Sequence, residues 1–279
     1  MRIRVRAPAT TANLGPGFDC VAAALDLWNE VEVTDGADGL SVETTLRPDP
    51  GHLAVQAFAR LAPLNGLSFS FTDRIPRERG LGSSAATIAL GLVAGAIVAG
   101  HGSDPEELLA LGVDLEGHPD NLAAALAGGV CLTWDGKIAR IADELPAHPI
   151  ALIPAERVAT AGARADLPEH VAHVDAAHTA GRATLLGAAL ASGSAELFAA
   201  AADDRLHEPY RAARAPLLTA VREELPKGAL AATLSGSGPT VIVWAHQNAV
   251  DACAAELSSR FEEAEVLPLA VAATGAGAC

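Results

Sequence analysis

Arg2, Arg4 and Arg6 alternate with Ile3, Val5 and Ala7, and this period of two predicts a half-exposed strand, not a charged leader. Further strands are predicted over 24–34, 40–45 and 67–71, with a helix over 51–61. The run 80–100 carries no charge and is long enough to raise the question of a membrane span. Its Ala, Gly, Ser and Thr content, and the lack of a second such run, favour a buried core helix over 83–99. Ser103-Asp104-Pro105-Glu106-Glu107 supplies a cap, an early proline and first-turn acids, so a second helix starts there and ends near Glu116. A short helix over 122–127 and a hairpin of 130–134 with 138–141 around Asp135-Gly136 complete the first half.

The pattern changes near 146–149, which divides the chain into domains 1–147 and 148–279. The second opens with a strand over 150–154 and continues into Ala-rich helices between 168 and 224, broken near Ser192-Gly193-Ser194 and Glu208-Pro209. Strands over 229–234 and 240–245, a helix over 248–261, a strand over 265–271 and a frayed tail from Thr274 follow. Helices and strands mix in both halves without the regular βαβα spacing of a doubly wound sheet, and there is no internal repeat.

Composition narrows the partners. Half of the 279 residues are apolar but only 4% are aromatic, so the core must be built from Ala, Leu and Val. A formal charge of −15, from 19 Lys and Arg against 34 Asp and Glu, argues against nucleic acid or an anionic membrane as the main partner. Cys20, Cys131, Cys253 and Cys279 are scattered, with no CxxC or Cys/His ligand spacing, as expected of a reduced, cytoplasmic protein. The oligomeric state is open, a homodimer included.

Three glycine-rich stretches carry the candidate chemistry. Pro76-Arg77-Glu78-Arg79-Gly80-Leu81-Gly82-Ser83-Ser84-Ala85-Ala86 feeds a helix N-terminus, whose unpaired N–H groups and dipole attract phosphate. Alone it reads equally as a tight turn on a small-residue helix, and it matches neither GxxxxGK[ST] nor a strand-to-helix GxGxxG. Residues 8–19, too rich in Pro, Gly, Thr and Asn for helix or strand, read as a shaped loop with Asn13 and Asp19 as its polar candidates. Ser235-Gly236-Ser237-Gly238-Pro239 exceeds the two residues a hairpin needs, so backbone can approach a ligand there.

Glu116-Gly117-His118-Pro119-Asp120-Asn121 places two acids, an imidazole and an amide in six residues, and an acid near a phosphate loop is what Mg²⁺ needs. His118 alone reads as a capping or core histidine, and Asp120 as a helix-start residue. In the second half, Thr160-Ala161-Gly162-Ala163-Arg164 and Glu208-Pro209-Tyr210-Arg211 set arginines in Ala-rich sequence, where the default is a solvated surface and the alternative is bidentate capture of a carboxylate.

With these residues in view, nearly the whole chain resembles the homoserine kinases of the galactokinase–homoserine kinase–mevalonate kinase–phosphomevalonate kinase (GHMP) superfamily. The motifs are Pro-Ala-Thr-Thr-Ala-Asn-Leu-Gly-Pro-Gly-Phe-Asp over 8–19, the loop over 76–86, Glu-Gly-His-Pro-Asp-Asn over 116–121 and the stretch 234–240. The resemblance implies two α+β domains, the first like ribosomal protein S5 domain 2 and the second a ferredoxin-like plait. It implies ATP with its phosphates on 76–86, Mg²⁺ on Ser84 and Glu116, and L-homoserine against Asn13, Asp19, His118 and Asn121. Arg164 and Arg211 would take its carboxylate, with Thr160 nearby, and Asp19, Asn13 and Asn121 would be the catalytic positions. Activity on another small alcohol, or a non-catalytic nucleotide-binding role, are the alternatives.

Overall fold

The computed structural model describes residues 1–35, 45–46, 49, 51–157 and 160–279; most of the strand expected over 40–45 lies outside them. Strands β1 (Arg2–Asn13) and β2 (Gly17–Asp35) form a long antiparallel hairpin. The two-residue β3 (Thr45–Leu46) follows, then helix α1 (Leu53–Ala59) and strand β4 (Leu67–Thr72), which lies between β2 and β3. Helices α2 (Ser83–Ala99), α3 (Pro105–Glu116) and α4 (Asp120–Ala127) come next, then the hairpin of β5 (Val130–Trp134) and β6 (Lys137–Ala142), joined to β2 through β5.

β7 (His148–Ile153) opens a second sheet. After it run α5 (Thr160–Ala165), α6 (His173–Ser192), α7 (Ala195–Ala201), α8 (Glu208–Arg211) with a 3-10 turn at Ala212–Arg214, and α9 (Pro216–Glu223). β8 (Ala229–Leu234), β9 (Val241–Ala245), a 3-10 turn at Gln247–Ala249, α10 (Val250–Arg260), β10 (Glu265–Pro268) and β11 (Gly277–Ala278) end the chain. The second sheet runs β10-β7-β9-β8, antiparallel throughout, which is the strand order of a ferredoxin-like plait.

Two expectations are corrected. The stretch 8–19 is not a loop: β1 continues to Asn13, β2 begins at Gly17, and only Leu14-Gly15-Pro16 turns. Thr10, Thr11 and Ala12 are buried and paired with Ala24, Ala23 and Ala22, and the register slips between Pro8 and Ala9, where a residue without an N–H is tolerated. The tail is not frayed. β11 pairs with the edge of β1, Val5 opposite Ala278, and the Ala276 N–H donates to the Ala125 carbonyl at 2.7 Å. Covering an open strand edge outweighs the low intrinsic order of a Gly/Ala terminus.

α2 is apolar all round because it is covered all round, by β1 and β2 on one side and by α1, α3 and α4 on the others. A Cβ on Gly91 would lie 2.0 Å from the Ala54 carbonyl oxygen, so α1 and α2 cross with their backbones in contact. α2 is a core helix; among the described residues no helix is long and apolar enough to cross a membrane. The main core continues beneath the second sheet, where Phe198 meets Trp244 edge-on at 5.1 Å. A smaller apolar cluster, between the other face of that sheet and α9 and α10, includes Leu218, Val221 and Leu257.

Candidate active site

Three chain reversals meet at the end of β1. The β1–β2 turn carries the left-handed backbones of Asn13 (φ 74°), Leu14 (φ 45°) and Asp19 (φ 57°), a conformation that short polar side chains tolerate best. Asn13 is buried and both ends of its amide are engaged: Oδ1 accepts from the Asp19 N–H at 3.1 Å and Nδ2 donates to the Gly236 carbonyl at 3.2 Å. Ser235 Oγ donates to the Gly80 carbonyl at 2.6 Å and lies 2.9 Å from Thr11 Oγ1. The Thr240 N–H donates to the Arg79 carbonyl at 3.2 Å. The first, second and third glycine-rich stretches are thus one stitched unit.

The N-terminus of α2 opens into the cleft between them. Its N-cap, Gly82, has φ 63° and provides no side-chain cap, and the first intrahelical acceptance is by the Gly82 carbonyl from Ala86 N–H. The preceding N–H groups are therefore left for a ligand, as an anion site requires. Bulk is excluded: a Cβ on Gly82 would lie 1.8 Å from Thr10 Oγ1, and one on Gly80 would lie 2.3 Å from the Ser235 carbonyl.

Glu116 ends α3 beside this terminus. Ser84 lines the same cleft beside its carboxyl, whose Oε2 is buried with no partner. Burial raises its pKa to about 7, against the opposing pulls of Ser84 and His118 and with a smaller push from Asp120. A buried carboxylate oxygen without a donor, next to a hydroxyl and an anion site, fits a hard cation that takes oxygen ligands. Among the described residues no group of three His, Cys, Asp or Glu is placed to hold a metal ion.

The 118–121 segment is internally committed. Asp120 Oδ1 accepts from Asn121 N–H at 2.6 Å and Asn121 Nδ2 at 3.2 Å, with His118 Nδ1 also at 3.2 Å. Asn121 Oδ1 accepts from Thr10 Oγ1 at 2.6 Å. The bond to Asp120 raises the pKa of His118 against the opposing effect of burial.

The opposite wall is cationic. Arg164 Nη2 donates to Asp19 Oδ1 at 2.7 Å. Arg211 is buried and donates through Nη1 to the Gly236 carbonyl at 3.1 Å. Burial first, and the neighbouring Arg164 second, lower its pKa. The two guanidinium carbons sit 5.9 and 5.4 Å from the centre of the Phe18 ring.

One cleft therefore brings together Asn13, Asp19, Ser83, Ser84, Glu116, His118, Asn121, Arg164 and Arg211, with Glu78, Arg79, Gly80 and Gly82 on the side of the glycine-rich loop before α2. Other predicted positions lie elsewhere. Leu81, Ala85 and Ala86 are buried in the core and can offer backbone alone; Pro76 and Arg77 are off the cleft, Arg77 paired with Asp73 at the surface. The Arg79 guanidinium turns to the Ala155 and Glu156 carbonyls, at 2.7 Å from the latter. Thr160 begins α5, and its side chain lies outside the described residues. Thr10, whose hydroxyl ties β1 to Asn121, is not legible in the sequence, because nothing marks one threonine of a run as inward-facing until the strand register is known.

Comparison with known proteins places the chain in a family. Residues 52–129 match the GHMP kinases N terminal domain and residues 186–263 the GHMP kinases C terminal model. A homoserine kinase of Streptomyces avermitilis is 41% identical, with 96% of each chain covered. The crystal structure of a homoserine kinase from Cytophaga hutchinsonii is similar at a TM-score of 0.85 and 26% identity, covering 100% of this chain and 97% of that one. A mevalonate kinase structure, at 16% identity and a TM-score of 0.69 over 97% of this chain and 99% of its own, shares the two-domain fold. The chain belongs to the homoserine kinase family of the GHMP kinases.

Proposed function

We propose that this protein is a cytoplasmic kinase that transfers the γ-phosphoryl group of ATP to the side-chain hydroxyl of L-homoserine, giving O-phospho-L-homoserine for threonine biosynthesis. The observation that carries this is the pairing of two unlike walls in one cleft. An uncapped helix N-terminus with an acid beside it suits a polyphosphate and its cation, and two arginines opposite suit the carboxylate of an amino-acid acceptor. We set the domain boundary at 147/148, a reading supported by the start of the second sheet with β7 at His148.

In the transfer, the homoserine oxygen bonds to the γ-phosphorus as the bond to the β,γ-bridging oxygen breaks, and ADP leaves with that electron pair. The hydroxyl proton passes to solvent or to the phosphoryl product. Ser84 and Glu116 would hold Mg²⁺, which when bound neutralises phosphate charge. Arg164 and Arg211 hold the acceptor carboxylate, and Asn13, Asp19, His118 and Asn121 shape the acceptor side. Asp19 is paired with Arg164, and Asp120 is spent on Asn121 and His118, so neither stands ready as a base. Catalysis then rests on positioning and charge neutralisation, the main contributions in phosphoryl transfer.

The test is ADP release from Mg-ATP offered separately with L-homoserine, mevalonate and shikimate. Release with homoserine is expected; release with mevalonate and not with homoserine overturns the assignment.

A further inference from the structure

We propose that His207 is a positioning residue for the acceptor: it holds the Arg211 guanidinium ready for the substrate carboxylate while pinning the β1–β2 turn. This rests on the assignment of Arg211 to that carboxylate.

His207 is completely buried just before α8. Its Nε2 lies 2.9 Å from the Gly15 carbonyl oxygen, and its Nδ1 lies 3.1 Å from Arg211 Nη1. A carbonyl can only accept and a guanidinium can only donate, so the two partners dictate the tautomer: hydrogen on Nε2, lone pair on Nδ1. Asp204 Oδ2, at 3.6 Å from Nε2, is too far for a hydrogen bond of normal length.

The ring itself is fixed from several sides. Asp204 accepts from the N–H groups of Leu206, His207 and Glu208 at 3.0, 2.8 and 2.9 Å, which locks the backbone that enters α8. Phe18 stacks on the imidazole with centroids 5.0 Å apart. Glu208 anchors α8 to the second sheet, accepting from the Leu234 N–H at 2.8 Å and from Arg222 at 2.5 Å.

Arg211 Nη1 is thus held by two neutral acceptors, His207 Nδ1 and the Gly236 carbonyl. The choice of neutral partners matters. A carboxylate in either place would orient the guanidinium equally well but would offset part of its charge, as Asp19 does at Arg164, and leave less attraction for an incoming carboxylate. An imidazole lone pair orients without neutralising. An arginine left free would also lose side-chain entropy on binding substrate, and pre-ordering it removes that cost from the acceptor's affinity. The same ring, through Gly15, couples Arg211 to the turn that carries Asn13 and leads to Asp19.

Two substitutions separate the two bonds. His207→Asn keeps an acceptor near the Nδ1 position and His207→Gln keeps a donor near the Nε2 position. Steady-state ADP release should show the homoserine KM raised about tenfold in His207→Gln and within about threefold of the parent in His207→Asn, with the ATP KM within about twofold in both. Equal increases in both KM values, or no increase in His207→Gln, overturns the proposal, whereas a parent enzyme that releases no ADP with homoserine overturns the underlying assignment instead. A nitrogen-15 spectrum of the parent's histidines gives a readout independent of variant folding. His207, identified as the signal lost in either variant, should show a protonated Nε2 and a bare Nδ1, and a proton on Nδ1 overturns the proposal.

Discussion

Glu116 opposes folding, and the size of that opposition can be measured. Its carboxyl rises from an ordinary 4.5 to about 7 on folding, mainly through burial. A carboxyl raised in this way binds its proton more tightly folded than unfolded, so stability falls as pH climbs from 4.5 to 7 and the full cost is present above 7. The shift corresponds to at most about 3 kcal/mol, and because the residue as a whole is only half-buried, about 1–3 kcal/mol is expected. Glu116→Gln removes the charge and keeps the shape. In metal-free buffer near pH 8 the variant should be the more stable by about 1–3 kcal/mol, at about 2–4 °C of Tm per kcal/mol. The difference should shrink to under about 1 kcal/mol near pH 5, where the folded carboxyl of the parent is already protonated. Adding magnesium together with ATP should stabilise the parent more than the variant, while the variant loses transfer activity. Thermal melts of both proteins across that pH range, with and without the ion, are the assay. An offset that does not vary with pH, or a variant less stable than the parent at pH 8, refutes the reasoning.

Three further expectations can be checked alongside. Arg211→Ala should raise the homoserine KM about 100-fold, the loss of a charge-assisted pair, with the ATP KM within a few-fold; equal losses would count against a carboxylate clamp. Gly82→Ala forces a Cβ to within 1.8 Å of Thr10 Oγ1 on a φ of 63°, and should cost about 2–3 kcal/mol in denaturant titration. Deleting residues 274–279 strips β11 and the Ala276 and Cys279 N–H bonds, at 2.7 and 3.1 Å, from Ala125 and Arg4, and should lower stability by about 1–3 kcal/mol, where a frayed tail would cost nothing.

Those expectations also mark where the sequence was readable. α2 and α3 were legible because their signals are local: an uncharged small-residue run after glycines, and Asp104-Pro105-Glu106-Glu107 at a cap. The second sheet was legible as strands from local pattern, whereas its order came only through the family resemblance, since pairing depends on partners far along the chain. The 8–19 stretch misled for the same reason: Pro, Thr and Asn disfavour a strand locally, yet neighbours on both sides of the β1 backbone and a register slip at Pro8 override that preference. The tail from Thr274 failed likewise, because an open edge of β1 is invisible in a Gly/Ala terminus. In the site, Glu116, Ser84 and Asn13 were legible from motif, whereas Thr10 and His207 do their work through partners 111 and 192 residues away.

The least conspicuous of the glycine stretches proves to be the joint of the site. The Gly236 carbonyl accepts from both Asn13 Nδ2 and Arg211 Nη1, and Ser235 Oγ donates to the Gly80 carbonyl. Asn13 and Gly80 from the first half of the chain and Arg211 from the second are therefore referenced to the same two residues between β8 and β9. In-line transfer needs the hydroxyl and the γ-phosphorus placed relative to each other, not each relative to its own domain. A backbone carbonyl serves that purpose better than a side chain would, because it has no rotamer to change. That is a physical reason for a five-residue Ser/Gly/Pro connection where two residues would close a hairpin.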